Sequence, residues 1–164
     1  MAIEIERKFL LVSDTWRRLV KRQQCMSQGY LNDAQGVKAG RENCSVRIRI
    51  AGAVAYLNIK SRELGARRQE FEYPIPVADA DAMMELACGG IIEKVRHYVE
   101  YESHLWEIDE FKGANAGLVV AEIELKAVDE AFSKPEWLGE EVTSLPRYYN
   151  LALSSNPFSS TLNR

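Results

Sequence analysis

Eight stretches of this chain alternate with a period of two between apolar and polar residues, and that pattern leaves few folds open. Residues 3–12 read IEIERKFLLV, 45–51 SVRIRIA, 56–62 YLNIKSR and 68–75 RQEFEYPI. Further on, 92–101 read IEKVRHYVEY, 104–111 HLWEIDEF and 118–127 LVVAEIELKA, while the shorter CMSQGYL at 25–31 makes an eighth. Such alternation marks strands with two unlike faces. Turn residues separate them: Asn32-Asp33, Gly36 to Gly40, Gly52, Gly65 and Gly113 to Gly117. Many short strands and few helices argue for a barrel or a sandwich.

Helical signals fill the gaps. Ser13 or Asp14 can cap a short helix carrying Trp16, Leu19 and Val20. Asp79 or Asp81 can start another with Met83, Met84, Leu86 and Ala87, ended by Gly89-Gly90. Weaker helical pieces read near 128–134 and around Trp137 and Leu138. Ser144 with Pro146 predicts a last helix through Arg147, Tyr148, Tyr149, Leu151 and Ala152, followed by an irregular tail, SSNPFSSTLNR.

The polar faces of the strands are charged rather than merely hydrophilic. Residues two apart share a face, and those faces carry Glu4, Glu6 and Lys8, then Arg47 and Arg49, then Asn58, Lys60 and Arg62. Arg68, Glu70 and Glu72 follow, with Lys94 and Arg96, Glu107 and Asp109, and finally Glu122, Glu124 and Lys126. An ordinary wet face mixes its signs and includes Ser, Thr and Gln. Here the first and last strands are mostly acidic and the middle ones mostly basic. Like charges two apart repel unless an opposite charge sits between them, and a polyanion with divalent cations relieves both sets. Paired carboxylates suit Mg²⁺ or Mn²⁺, which take hard oxygen ligands. Converging Lys and Arg suit phosphate oxygens. If the sheet closes with this face inward, the barrel is a polar tunnel covered outside by helices. Periodicity alone does not say which face is inside.

Composition removes other classes. The chain has 164 residues, 46% of them hydrophobic, which suits one compact domain over 1–164. A net charge of −3 gives no electrostatic footprint for duplex DNA or an anionic membrane, so neither nucleic acid nor membrane is an expected partner. No apolar run approaches a spanning length, and MAIEIERKFLL lacks the apolar core of a signal peptide. Cys25, Cys44 and Cys88 are scattered and odd in number, which fits a reducing cytoplasm rather than a disulfide framework. With only His97 and His104, a His-based zinc site or a Ser-His-Asp triad has little to draw on.

Glu4-Ile5-Glu6-Arg7-Lys8 spells ExExK. It comes with an ordered set: QGYL at 28–31, VRIR at 46–49, LNIKSR at 57–62, RQEFEY at 68–73, EKVR at 93–96, WEIDEF at 106–111, AEIELK at 121–126 and GEEVTSLPRYYN at 139–150. Together these resemble the CYTH superfamily, also called the triphosphate tunnel metalloenzymes, in its short bacterial branch with inorganic triphosphatase activity. The resemblance implies an α+β fold: a closed eight-stranded antiparallel β-barrel, or tunnel, with a charged interior and a few flanking helices. It implies one or two Mg²⁺ or Mn²⁺ ions on Glu4, Glu6, Asp109, Glu122 and Glu124. Lys8, Arg47, Arg49, Lys60, Arg68, Lys94 and Arg96 would hold the phosphates, with Arg147 closing one end of the tunnel and Tyr30 lining it. Glu122, Glu124 and Lys94 are the expected catalytic residues. Arg62, Glu107, Glu70 and Glu72 share the face without an assigned role, and His97 should point away from it.

The reaction expected from the resemblance is hydrolysis of a small triphosphate, foremost inorganic tripolyphosphate, to phosphate and diphosphate. Two rivals share the fold: an adenylate cyclase making cyclic AMP from ATP, and a thiamine triphosphatase. Members with cyclase activity tend to carry a His-Phe pair ahead of ExExK, where this sequence has Met1, Ala2 and Ile3. A rival of another class is a polyphosphate- or nucleotide-binding module without turnover. A homodimer is plausible for such a chain on general grounds.

Overall fold

The computed structural model describes residues 2–158. Its strands are β1 (Ile3–Leu11), β2 (Val20–Tyr30), β3 (Cys44–Ala51), β4 (Val54–Ser61), β5 (Arg67–Ile75), β6 (Cys88–Tyr101), β7 (His104–Phe111), β8 (Val119–Glu124) and β9 (Leu138–Glu141). Helices α1 (Ala34–Lys38), α2 (Val77–Met84) and α3 (Asn150–Ser155) lie between and after them, with 3-10 turns at Thr15–Leu19, Gly113–Asn115 and Pro146–Tyr148.

The strands form a ring. Their order is β5-β4-β3-β2-β6-β7-β8-β1, and β1 returns to β5 through Ile3↔Gln69, Glu4↔Arg68 and Ile5↔Arg67. Every pairing is antiparallel, so eight strands close an antiparallel barrel and remove the exposed edges that an open sheet would carry. β1 makes this closure possible because it changes partners. Its first residues pair with β5, and from Glu6 to Leu10 it pairs with β8. On the side that β5 has left, β9 joins it at Phe9↔Glu141 and Leu11↔Leu138, with an irregularity between. Pro74 lies on the part of β5 that β1 no longer accompanies. There a missing N–H costs no ladder bond on the open side.

Three apolar clusters hold the ring. Phe9, Trp16, Val99, Trp106, Ile108, Ile123 and Trp137 pack on the outside of β1, β6, β7 and β8. Ile48, Ala55 and Ala80, with Leu57, Met83 and Met84 alongside, pack α2 against the outer face of β3 and β4. The third cluster sits at one end of the lumen. There Tyr30, Ile92, Phe111 and Val120 meet Val142, Tyr148 and Leu153 of the C-terminal segment. The barrel is therefore charged along its length and stoppered by apolar side chains at one mouth. Gly89 belongs to this end: its φ is 74°, and a Cβ there would meet the Ser154 carbonyl of α3 at 2.9 Å.

Several elements differ from the sequence reading. β2 starts at Val20, because the Lys21–Gln24 run hides its alternation behind consecutive polar side chains. β6 begins at Cys88 and runs through Gly89-Gly90, which the reading took as a helix end. The stretch around Leu138 is strand β9 rather than helix, paired to the half of β1 that β5 abandons, and 128–134 is irregular. α1 replaces an expected turn and is capped by the Asp33 side chain, which accepts from the Gln35 N–H at 3.1 Å. α3 extends to Ser155, into the expected tail, whose last residues from 159 lie outside the described ones. Among the described residues no helix is long and apolar enough to cross a membrane.

Trp106 is fully buried, with edge-on contacts to Phe9 at 5.8 Å, Phe132 at 5.8 Å and Trp137 at 5.6 Å. Trp106→Ala is expected to cost about 3–5 kcal/mol of stability in denaturant melts. Its ring lies outside the barrel, so ligand binding by the remaining folded protein should change little.

Candidate active site

β1, β3, β4, β5, β6, β7 and β8 each send charged side chains into one lumen of about 530 Å³. Its walls include Glu4, Glu6 and Lys8 of β1, Arg47 and Arg49 of β3, Lys60 of β4, Arg68, Glu70 and Glu72 of β5, and Arg96 of β6. Glu107, Glu122 and Glu124 complete the far side, and Tyr30, Thr143, Tyr149 and Asn150 reach it from the stoppered end. Antiparallel register decides who meets whom. Lys8 faces Glu122, with Nζ 3.1 Å from Oε1. Glu6 faces Glu124, like against like. Lys60 sits 3.0 Å from Glu4 and 4.0 Å from Glu70.

Below this wall runs a buried ion network. Asp109 has no exposure and accepts from Lys94 Nζ at 2.7 Å and from Arg96 Nε and Nη2 at 2.8 and 2.9 Å. Arg96 also reaches Glu107 at 2.6 Å and Glu122 at 3.6 Å. Burial opposes the charge on Asp109 and Glu122. Arg96 and Lys94 outweigh it for Asp109, and Lys8, Arg96 and Lys94 hold Glu122 well below the usual carboxylate range. Lys94 goes the other way: burial pushes it down to about 7, with Asp109 opposing and Arg96 adding to the fall.

Glu6 is the group the protein leaves uncompensated. Burial and the neighbouring Glu122 charge push its carboxyl up to about 8, and Lys60 and Lys8 offset only part of that. Glu4 is raised too, mainly by burial. On the opposite wall the surplus is positive. Arg47 Nε and Nη2 and Arg49 Nε are buried with no partner among the described residues. Burial, Arg47 and Arg96 push Arg49 down to about 10. The acidic wall is thus short of positive charge at Glu6, and the basic wall carries guanidinium nitrogens of Arg47 and Arg49 with no partner among the described residues. A phosphate chain carrying a divalent cation satisfies both.

The donor set fits such a cation. Glu4, Glu6, Glu122 and Glu124 present carboxylate oxygens, and Glu6, pushed up because Lys60 and Lys8 offset only part of burial and the Glu122 charge, is a carboxyl whose ionised form a cation would favour. Among the described residues no three carboxylates already converge as a cage. Mg²⁺ in triphosphate sites is held by one or two carboxylates, with water and phosphate oxygens completing the shell.

The structure brings most of the expected residues to the lumen but not all. Lys94 and Asp109 do not line it: they are spent on each other, with Lys94 also donating to Asn150 Oδ1 at 3.3 Å beside the Phe111 ring. Arg147 is exposed and away from the lumen. The turn begun by Pro146 puts Tyr148 inside, and Arg147 donates back to the Tyr148 hydroxyl at 2.6 Å. Lys126 lies past the end of β8 and is exposed. Arg62 and Glu107, left without a role, both line the lumen, while Asn58 bonds Glu70 and Glu72. His97 points outward against Trp16, as alternation requires. The sequence reading missed Thr143, Tyr149 and Asn150. Their only signal was the YYN closing GEEVTSLPRYYN, because no strand periodicity reaches that segment.

A family model described as the CYTH domain matches residues 2–154. An inorganic triphosphatase of Acetivibrio thermocellus is 42% identical over 159 residues, covering 96% of this chain and 97% of the relative. An inorganic triphosphatase of Nitrosomonas europaea is 34% identical over 156 residues, covering 92% and 96%. Among solved structures, the crystal structure of an inorganic triphosphatase aligns with a TM-score of 0.64 at 31% identity, over 94% of this chain and 95% of the other.

Two outcomes follow from the electrostatics. Glu6 binds its proton more tightly folded than unfolded, so its contribution to stability is present below its ordinary value and lost as pH rises toward about 8. In EDTA, stability should therefore fall between about pH 5 and 7. Glu6→Gln should flatten that slope in denaturant melts at several pH values. Lys94 acts oppositely only above about 7. Separately, Asp109→Ala leaves Lys94 and Arg96 buried without their counter-charge, an expected loss of about 3–5 kcal/mol by the same melts.

Proposed function

The chain belongs to the CYTH domain family, and on that footing we propose that it is a metal-dependent triphosphatase that hydrolyses inorganic tripolyphosphate to phosphate and diphosphate. One observation carries the reading: guanidinium nitrogens of Arg47 and Arg49, buried with no partner among the described residues, share the lumen with a group of carboxylates that includes the only partly compensated Glu6. Neither surplus has a use in a protein that only folds.

The roles follow from charge and position. Arg47, Arg49 and Arg68 hold phosphate oxygens, Arg in forked pairs. Lys8, Lys60 and Arg96 already sit against carboxylates and so tie the acidic wall to the bound chain. Glu4, Glu6, Glu122 and Glu124 hold one or two ions, Mg²⁺ or Mn²⁺. When bound, the metal supplies positive charge against the phosphate oxygens. Asp109 supports this arrangement from behind, by fixing Lys94 and Arg96, rather than as a ligand. Lys94 adds its charge through the same network.

Water attacks the terminal phosphorus in line, the bridging P–O bond breaks, and diphosphate leaves with the electron pair. The proton of the attacking water passes to a carboxylate. Glu122 is a weak base because Lys8 and Arg96 stabilise its ionised form, so it orients the water. Glu124, across from Glu6, takes the proton. Lys and Arg on the other wall stabilise the charge that moves onto the leaving group. The free thiols of Cys25, Cys44 and Cys88 are consistent with a reducing cytoplasm as the working compartment.

The decisive experiment is product analysis with tripolyphosphate, ATP and thiamine triphosphate, each with Mg²⁺, Mn²⁺ or EDTA. Metal-dependent orthophosphate release, fastest with tripolyphosphate, is expected. Cyclic AMP from ATP would instead assign a cyclase, and binding by calorimetry without any product would leave a binding module. Glu6→Ala should stay folded and lose metal-dependent turnover. Wild-type turnover in that variant would remove Glu6 from the site.

A further inference from the structure

The barrel wall has one seam. β1 and β5 pair only as far as Ile5↔Arg67, with one further bond from the Glu6 N–H to the Ala66 carbonyl. Past that point β1 carries Lys8, paired with Glu122 of β8, while Arg68 of β5 stands within the ladder opposite Glu4, and both side chains project into the lumen. Two cations on neighbouring strands repel each other, and each side chain is long enough to leave the lumen.

The Tyr149 ring lies close to both cations. Lys8 Nζ lies 5.5 Å from its centroid and Arg68 Cζ lies 5.2 Å from it. A ring face is negative, so one ring between two cations attracts both and offsets their repulsion. The ring itself is fixed. Its hydroxyl donates to the Thr143 carbonyl, and the Thr143 hydroxyl oxygen accepts from the Lys8 backbone N–H at 3.0 Å. The preceding residue contributes as well, since the Tyr148 carbonyl accepts from Lys8 Nζ at 3.3 Å. Among the described residues the Arg68 side chain donates to the Gly65 carbonyl at 3.1 Å. The C-terminal segment thus reaches back to the first strand and adds contacts to the side-chain ends of two lumen cations whose backbones the strand pairing sets.

We infer that Tyr149 is a positioning residue for the anion site: its ring holds Lys8 and Arg68 at the separation in which both meet one phosphate chain. The inference rests on the triphosphatase reading for its substrate but not for its test. Two cation–ring contacts are together worth roughly one factor of ten in affinity.

The test compares wild type with Tyr149→Leu and Tyr149→Phe, using KM and kcat for tripolyphosphate with Mg²⁺ and calorimetric affinity for tripolyphosphate in EDTA. Tyr149→Leu should raise KM about tenfold with kcat little changed, and weaken calorimetric binding by a similar factor. Tyr149→Phe keeps the ring and should recover most of that loss, although it drops the bond to Thr143. Thermal midpoints accompany each variant, and Tyr149→Met, of similar length and without a ring, replaces Leu if that variant unfolds. An unchanged KM and affinity in the ringless variants would overturn the inference. So would a Phe variant as impaired as Leu, which would put the effect in the hydroxyl. A wild-type protein that binds tripolyphosphate without hydrolysing it would remove the triphosphatase reading alone, because the calorimetric comparison still decides on Tyr149. A wild-type protein that does neither would overturn both.

Discussion

Asp109 sits without solvent between Lys94 and Arg96, and the charged lumen is possible only because of it. Filling a barrel with ions is costly: each one leaves water for a medium where an unmatched charge is strongly penalised. The Asp109 carboxylate repays part of that for two cations at once. Through Arg96 it also reaches Glu107 and Glu122, and through Glu122 it reaches Lys8 on the strand that closes the ring. The chain of contacts passes from β6 and β7 to β8 and β1. The network that makes the interior tolerable therefore also fastens the closing strand.

The compensation is deliberately incomplete. Where Lys94, Arg96 and Asp109 satisfy one another, the lumen wall has no demand left for a ligand. Where Glu6 faces Glu124, and where Arg47 and Arg49 keep nitrogens with no partner among the described residues, it does. A phosphate chain with its cation would add charge of the needed sign on both sides. The stability lost at those positions is recovered from the apolar clusters outside the ring, around Trp106 and around α2. Such a division between a stable shell and a frustrated interior is the usual cost of a functional site.

Much of this was legible from residues. ExExK on β1 and the acids of β7 and β8, like the bases of β3 and β4, are visible because a strand exposes every second residue to one face. Where that rule stops, so does legibility. β9 spans only Leu138–Glu141 and is defined by its pairing with β1, not by any alternation of its own. Tyr149 enters the lumen from the extended residue between a 3-10 turn and α3, the turn itself leaves Arg147 exposed, and no period announces either direction. Asp109 and Glu122 look alike in sequence and each pairs with two cations, yet Asp109 is shut away from the cavity and Glu122 lines it. Cross-strand register makes that difference.

The sequence by itself determined that these strands have one charged face and one apolar face, that the signs are sorted by strand, and that acids and bases would come together if the faces did. It could not determine which face is inside. A period of two is symmetric, and an inward apolar face would satisfy it equally well. Tertiary structure decided the question through β1, which pairs with β8 on one edge and with β5 and then β9 on the other. Once that strand closes the ring, the lumen is too narrow for water to screen its charges fully. The apolar faces must then find cover outside, where Trp16, Trp137 and α2 supply it. Closure turned an alternating pattern into a charged tunnel, because only then do side chains from distant strands share one small volume.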